Sequence, residues 1–103
     1  MNDKLLGILG IARRAGKLIP GFDMVCDCIR SGEARLVITA SDTSKNTYKA
    51  LMKVLNETDS DHITLSRTKE EISAALGRLT SVLCVTDSGF AHRIIELNTP
   101  NAD

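Results

Sequence analysis

The residues that could do covalent or metal chemistry are few in this chain, and their spacing argues against both. His62 opens a short alternating run after the acidic connection 56–61, and His92 falls on the polar side of the last helical pattern. Neither stands near a paired acid, and no Ser or Cys sits at a sharp strand-to-helix turn where a nucleophile would be presented. Cys26 and Cys28 are two apart on a predicted helix, which turns them roughly 200° from each other and keeps them from sharing a metal. Cys84 lies in an apolar run, so all three cysteines read as small core residues. The sequence therefore predicts no catalytic residue, no metal and no cofactor, and the protein is expected not to be an enzyme. Three cysteines, an odd number with no secretory signal ahead of them, predict a reducing compartment and a cytoplasmic protein.

The other chemistry on offer is anion binding. From Gly16 to Cys26 the chain runs through a Pro20-Gly21 turn into a new helical pattern. The first N–H groups of a helix lack partners and sit at the positive end of its dipole. A glycine-hinged helix start beside Arg13, Arg14 and Lys17 would suit phosphate. The plainer alternative is a surface loop with solvated cations. Lys45, Lys49 and Lys53 recur at intervals of four and form a row, either a solvated helix face or a track for phosphates.

The charge distribution bears on that choice. The net charge is zero, yet residues 1–53 hold nine Lys or Arg against five Asp or Glu, and residues 54–103 hold four against eight. A partner meeting the first half alone would meet a basic surface. With no Trp, one Tyr and two Phe, the chain lacks the aromatic platforms of an unspecific single-strand binder.

At 103 residues and 43% apolar the chain holds one core, read as a single domain over 1–98 with a frayed tail at 99–103. No apolar run approaches the ~20 residues that span a bilayer. Asn2 or Asp3 can cap a first helix with Leu5, Ile8, Leu9 and Ala12 inward and Leu6 and Ile11 widening that face. Gly7 and Gly10 within it suggest close approach of another backbone. Gly16 ends it, and since a helix precedes these glycines, a Rossmann or Walker loop is excluded. Leu18-Ile19 is a short extended piece. A second helix buries Phe22, Val25, Cys26 and Ile29, and Leu36–Ala40 is a buried strand. A third helix, with Ser41–Ser44 supplying turn and cap, buries Thr47, Ala50, Leu51, Val54 and Leu55. His62–Leu65 alternates like a strand, Thr68 and Glu71 form a capping box, and Val82–Thr86 is a second buried strand. Asp87-Ser88 caps a last helix with Phe90, Ala91, Ile94, Ile95 and Leu97 inward. Helices alternating with strands predict a three-layer α/β/α sandwich.

On these residues a resemblance appears. Ala12–Leu18, Gly21, Arg30–Ile38, Ala40–Asp42, Thr68–Glu71, Ala75–Gly77 and Val85–Ala91 together resemble the ribosomal protein L7Ae/L30e superfamily, and within it the small bacterial YlxQ branch. The resemblance covers nearly the whole chain. It implies an α/β/α sandwich around a four-stranded mixed sheet and a role in binding structured RNA, often a kinked stem, with ribosomal RNA or the ribosome as candidate partner. No membrane, no small-molecule substrate and a monomer are expected. The resemblance places RNA contacts at Arg13, Arg14, Lys17, Gly21, Phe22, Asp23 and Met24, with Lys45 and Lys49 as further phosphate contacts. Members that bind kink-turns carry Gly-Thr-Asn-Glu-x-Thr-Lys at the second helix start. Here only Gly21 matches, followed by Phe22, Asp23, Met24, Val25, Cys26 and Asp27. Asp accepts but does not donate hydrogen bonds, so guanine acceptor atoms cannot be read in the same sense. The loop Arg78–Ser81 is also shorter than the apolar loop of those relatives. A protein-interaction module that kept the fold and lost the RNA site is the competing expectation.

Overall fold

The computed structural model describes residues 3–98, which alternate helix and strand: α1 (Lys4–Arg14), β1 (Leu18–Pro20), α2 (Phe22–Arg30), β2 (Leu36–Thr39), α3 (Lys45–Leu55), β3 (His62–Thr64), α4 (Lys69–Leu76), β4 (Val82–Val85) and α5 (Ser88–Leu97). The expected tail at 99–103 lies outside the described residues. The sheet order is β1-β4-β2-β3, with β4 antiparallel to both neighbours and β2 parallel to β3. The α/β/α sandwich with a four-stranded mixed sheet is thus as expected.

Each face of the sheet has its own core, set by the two-residue alternation of the strands. Leu18, Leu36, Ile38, Leu83 and Val85 pack with Leu5, Leu9 and Ala12 of α1, Ile72 of α4, and Ala91 and Ile94 of α5. Val37, Val82 and Cys84 face the other way onto Val25, Cys26, Cys28 and Ile29 of α2 and Leu51, Val54 and Leu55 of α3. Burial on both faces is why β4 and Leu36–Ile38 of β2 are apolar runs, with Thr39 as the one polar residue of the two strands. All three cysteines are buried, as the sequence implied.

Some side chains depart from the periodic pattern. Ile11 and Ile95 are each 48% exposed, at the margins of helical faces too narrow to cover them. Gly10 is buried beside α4, but a Cβ there would stand 3.6 Å from the Ala75 carbonyl oxygen, an ordinary contact, so the backbones do not come close enough to require glycine. Gly7 shows no approach at all, since a Cβ there would meet nothing within 4 Å. Its place in α1 has no packing reason.

Because β1, β2 and β3 run the same way, they end at the same edge of the sheet, and α2, α3 and α4 all begin there. β4 also starts at that edge, which gathers three helix starts and the connection 77–81. Backbone bonds knit it together: Gly21 N–H to Val82 O at 3.0 Å, Ala40 N–H to Ser81 O at 2.9 Å, and Ser41 N–H to Arg67 O at 2.9 Å.

Candidate functional site

Four of the five described helices begin with a side-chain cap. Asp3 accepts from Leu6 N–H, Ser44 from Thr47 N–H, Thr68 from Glu71 N–H and Asp87 from Phe90 N–H. α2 is the exception, because its N-cap is Gly21, which has no side chain to offer. Gly21 adopts φ +102°, a conformation open to glycine and strained for other residues. The first N–H groups of α2 are therefore presented without a side-chain acceptor.

Above that helix start lies a cation the sequence did not single out. A Cβ built on Gly21 would fall 2.9 Å from Nη2 of Arg78, so the guanidinium rests where a side chain would otherwise be. Its loop is well anchored. Gly77 closes α4 in the left-handed conformation, Thr80 N–H donates to Ser73 Oγ at 3.2 Å, and Thr80 Oγ1 donates to Val82 O at 2.9 Å. Thr80 is buried as a result, while Arg78 and Leu79 project, Leu79 being 76% exposed. Among the described residues Arg78 joins no ion pair. Met24, 55% exposed, adds an apolar surface on the first turn of α2, and Asp23 is exposed beside it.

The predicted site residues divide between two ends of the sheet. Gly21, half-buried Phe22, Asp23 and Met24 share the edge with Arg78 and with Lys45, the first residue of α3. Lys17 does not: its carbonyl accepts from Thr86 N–H at 3.0 Å at the start of β1, whereas Gly21 follows the end of that strand. Four residue steps of extended chain put their Cα atoms about 13 Å apart. Arg13 and Arg14 close α1 at the Lys17 end, and Nη1 of Arg14 folds back to 3.5 Å from where a Cβ of Gly10 would be. The expectation that these three cations flank the α2 start is thus corrected: strand β1 separates them from it. Lys45 and Lys49 are exposed on α3, while Lys53 lines the groove between α2 and α3 with Asp23, Asp27 and Arg30.

Other polar groups at the edge are structural. Asp42 Oδ1 accepts from Lys69 N–H at 2.8 Å, and Arg67, buried, donates through Nε to Asp3 Oδ2 at 2.7 Å. That contact holds the Asp3 carboxyl below the usual carboxylate range, mainly by the hydrogen bond from Arg67. Cys84 Sγ and Cys28 Sγ lie 3.0 Å apart, and burial raises the Cys84 thiol pKa, which makes thiolate chemistry unfavourable there. Among the described residues no group of His, Cys, Asp and Glu could hold a metal ion, and no helix is long and apolar enough to cross a membrane.

Fold and edge together define an α/β/α sandwich that presents an uncapped helix start beside a short basic loop. The model of the Ribosomal protein L7Ae/L30e/S12e/Gadd45 family matches residues 3–95, and the chain belongs to that family. It is 37% identical over 95 residues to the RNA-binding protein YlxQ of Bacillus subtilis (strain 168), with 87% of this chain and 90% of the relative covered. It is 33% identical over 98 residues to the RNA-binding protein YlxQ of Enterococcus faecium, with 93% and 92% covered. Among solved structures, a Bacillus halodurans protein of unknown function superposes with a TM-score of 0.83 at 28% identity, covering 93% of this chain and 97% of the other. The Giardia lamblia 15.5kD RNA binding protein shares the fold, with a TM-score of 0.72 at 16% identity over 94% and 87% of the two chains.

Proposed function

We propose that this protein binds structured RNA at the sheet edge where α2 begins, as one domain and without catalysis. The observation that carries this is the Arg78 guanidinium lying over Gly21 at the one helix start that has no side-chain cap among the described residues. A cation and the positive end of a helix dipole placed together, with no carboxylate paired to the cation, suit a phosphate. Membership of the family and the names of the two YlxQ relatives support the same ligand class. Exposed Met24 and Leu79 offer apolar contact at the same edge, and Lys45 a further phosphate contact. Arg13, Arg14 and Lys17, at the other end of β1, add phosphate contacts only to an RNA long enough to reach round the edge. We further propose ribosomal RNA or the ribosome as the partner, a cytoplasmic location and a monomeric state.

The test is a mobility shift with an RNA hairpin carrying an asymmetric internal loop, at moderate salt. Binding by the wild type, and a loss of about tenfold in Arg78→Gln with the fold unchanged by circular dichroism, is the outcome expected. No shift of this or any other folded RNA would leave the protein-interaction module as the better account, favoured by the acids Asp23 and Asp27 on α2.

A further inference from the structure

The outward face of α3 carries a feature that extends beyond the Gly21 edge and shares only Lys45 with it. The helix KNTYKALMKVL contains three lysines and no acid. Lys45 is its first residue, where the helix dipole disfavours a cation, so that lysine is not there to stabilise the helix. Among the described residues neither Lys45 nor Lys49 joins an ion pair. Between them in sequence stands Tyr48, 39% exposed and the chain's only tyrosine. Helical geometry puts Lys45, Tyr48, Lys49 and Met52 on one quadrant, with neighbours three and four residues apart adjacent in space.

The tyrosine ring is steadied rather than covered. It meets the His62 ring edge-on, with centroids 5.7 Å apart and planes at 66°. His62 is itself tied to β2, with Nε2 and Thr39 Oγ1 3.1 Å apart. Burial lowers the His62 pKa, so the imidazole is neutral near pH 7 and does not repel a neighbouring cation. Of the acids nearest in sequence, Asp42 accepts from Lys69 N–H and Glu57 pairs with Arg30 at 3.9 Å, while exposed Asp59 and Asp61 lie on the connection that leads into β3.

We propose that Tyr48, on the same side of α3 as Lys45 and Lys49, is a stacking platform for one unstacked base of a single-stranded segment continuing from the RNA bound at the α2 edge. This rests on the RNA-binding reading above. An exposed aromatic ring held against His62, with Lys45 one turn before it and Lys49 one turn beyond Lys45 on the same side of the helix, offers a nucleotide a π-face for the base and cations for the neighbouring phosphates. One ring takes one base, which agrees with a chain whose two phenylalanines, Phe22 and Phe90, are both half-buried.

The absence of Trp and the presence of a single Tyr make this directly observable, since tyrosine emission comes from Tyr48 alone. The looped hairpin is titrated into full-length protein with and without a single-stranded oligo(A) tail, and absorption by the RNA is corrected with a free tyrosine amide. The tailed hairpin should quench the emission and bind about tenfold more tightly than the blunt one. Tyr48→Ala should abolish that advantage, Tyr48→Phe should keep it within about twofold, and Lys45→Gln or Lys49→Gln should each flatten the salt slope for the tailed RNA by about 0.7. If both hairpins bind alike without quenching, this inference is overturned while the Gly21 site stands. If neither binds, the RNA reading falls and this one with it. If the tail alone is bound and quenches, the platform is supported and the Gly21 site is not.

Discussion

Arg67 holds the carboxylate of Asp3 with two hydrogen bonds, Nε to Oδ2 at 2.7 Å and Nη2 to Oδ1 at 3.2 Å. The pair joins the N-cap of α1 to the entry of α4, and its side chains are only 21% and 7% exposed for Asp3 and Arg67. Asp3 is thereby committed twice, since the same Oδ1 accepts from Leu6 N–H at 3.1 Å. The folded-state pKa of Asp3 is depressed, so its contribution to stability is fully present above the unfolded value near 4 and is lost as pH falls through the lower folded value. Asp3→Ala, which removes both the cap and the partner of a nearly buried guanidinium, should cost about 2–4 kcal/mol at neutral pH. Asp3→Asn keeps the cap and should cost less. Urea unfolding at pH 7 and below pH 4 measures both, and an unchanged pH dependence in Asp3→Ala would show that the pair is not the source of acid sensitivity.

Gly21→Ala should destabilise the protein by about 1–3 kcal/mol, because φ +102° is strained for any side chain and the new Cβ would press on Arg78 at 2.9 Å. Arg78 is exposed and flexible, so Arg78→Ala combined with Gly21→Ala should recover the steric part and leave the conformational part. A double-mutant cycle by chemical denaturation separates the two. Full additivity would mean that the guanidinium does not rest on the helix start.

The helix starts, the two central strands and the buried cysteines were legible because each follows from short-range pattern. Thr68 and Glu71 three apart form a capping box, and the structure contains both of its hydrogen bonds. Leu36–Ile38 and Val82–Val85 are continuous apolar runs, as suits strands buried on both faces. What no local pattern carries is strand order. Lys17 and Gly21 are close in sequence, and only the extension of β1 between them and its pairing with β4 show that they lie at opposite ends. Arg78 carries no sequence signal for the same reason. It reads as an ordinary loop cation until β4 is known to lie beside β1, which brings the residues before Val82 against Gly21. Buried Arg67 carries no local signal either, since its partner is 64 positions away.

The thiols of Cys28 and Cys84 should resist modification in the native state. Cys28 is 4% and Cys84 0% exposed, and burial raises the Cys84 pKa, so little thiolate is available near neutral pH. Labelling by a water-soluble disulfide reagent should proceed at the rate of opening and become fast only in denaturant. Cys84→Ser should cost about 1–3 kcal/mol, since a hydroxyl on the central strand would replace a thiol in an apolar layer of Val37, Val82 and Leu51. Rapid stoichiometric labelling of native protein would contradict this packing.

The acids on α2 make a prediction about which RNA is preferred. The family's kink-turn signature, as the resemblance implies it, places Asn and Glu where this chain has Asp23 and Met24, and Lys where it has Asp27. An exposed carboxylate at Asp23 cannot donate to guanine O6 or N7, and Asp27 repels phosphate on the same helix. The wild type should therefore discriminate weakly: replacing tandem sheared G·A pairs by Watson–Crick pairs in a kinked hairpin should change affinity by less than about threefold, and the log-log salt slope should reflect phosphate contacts alone, near −3 for four of them. Asp23→Asn with Met24→Glu and Asp27→Lys changes three exposed positions and leaves buried Val25, Cys26 and Ile29 in place. That variant should gain about tenfold for the G·A-containing hairpin over its Watson–Crick counterpart, because each bidentate base contact is worth about 1–3 kcal/mol of discrimination. Discrimination already present in the wild type, together with a shallow salt slope, would mean that Asp23 and Met24 read bases in another way and that backbone contacts do not dominate this edge.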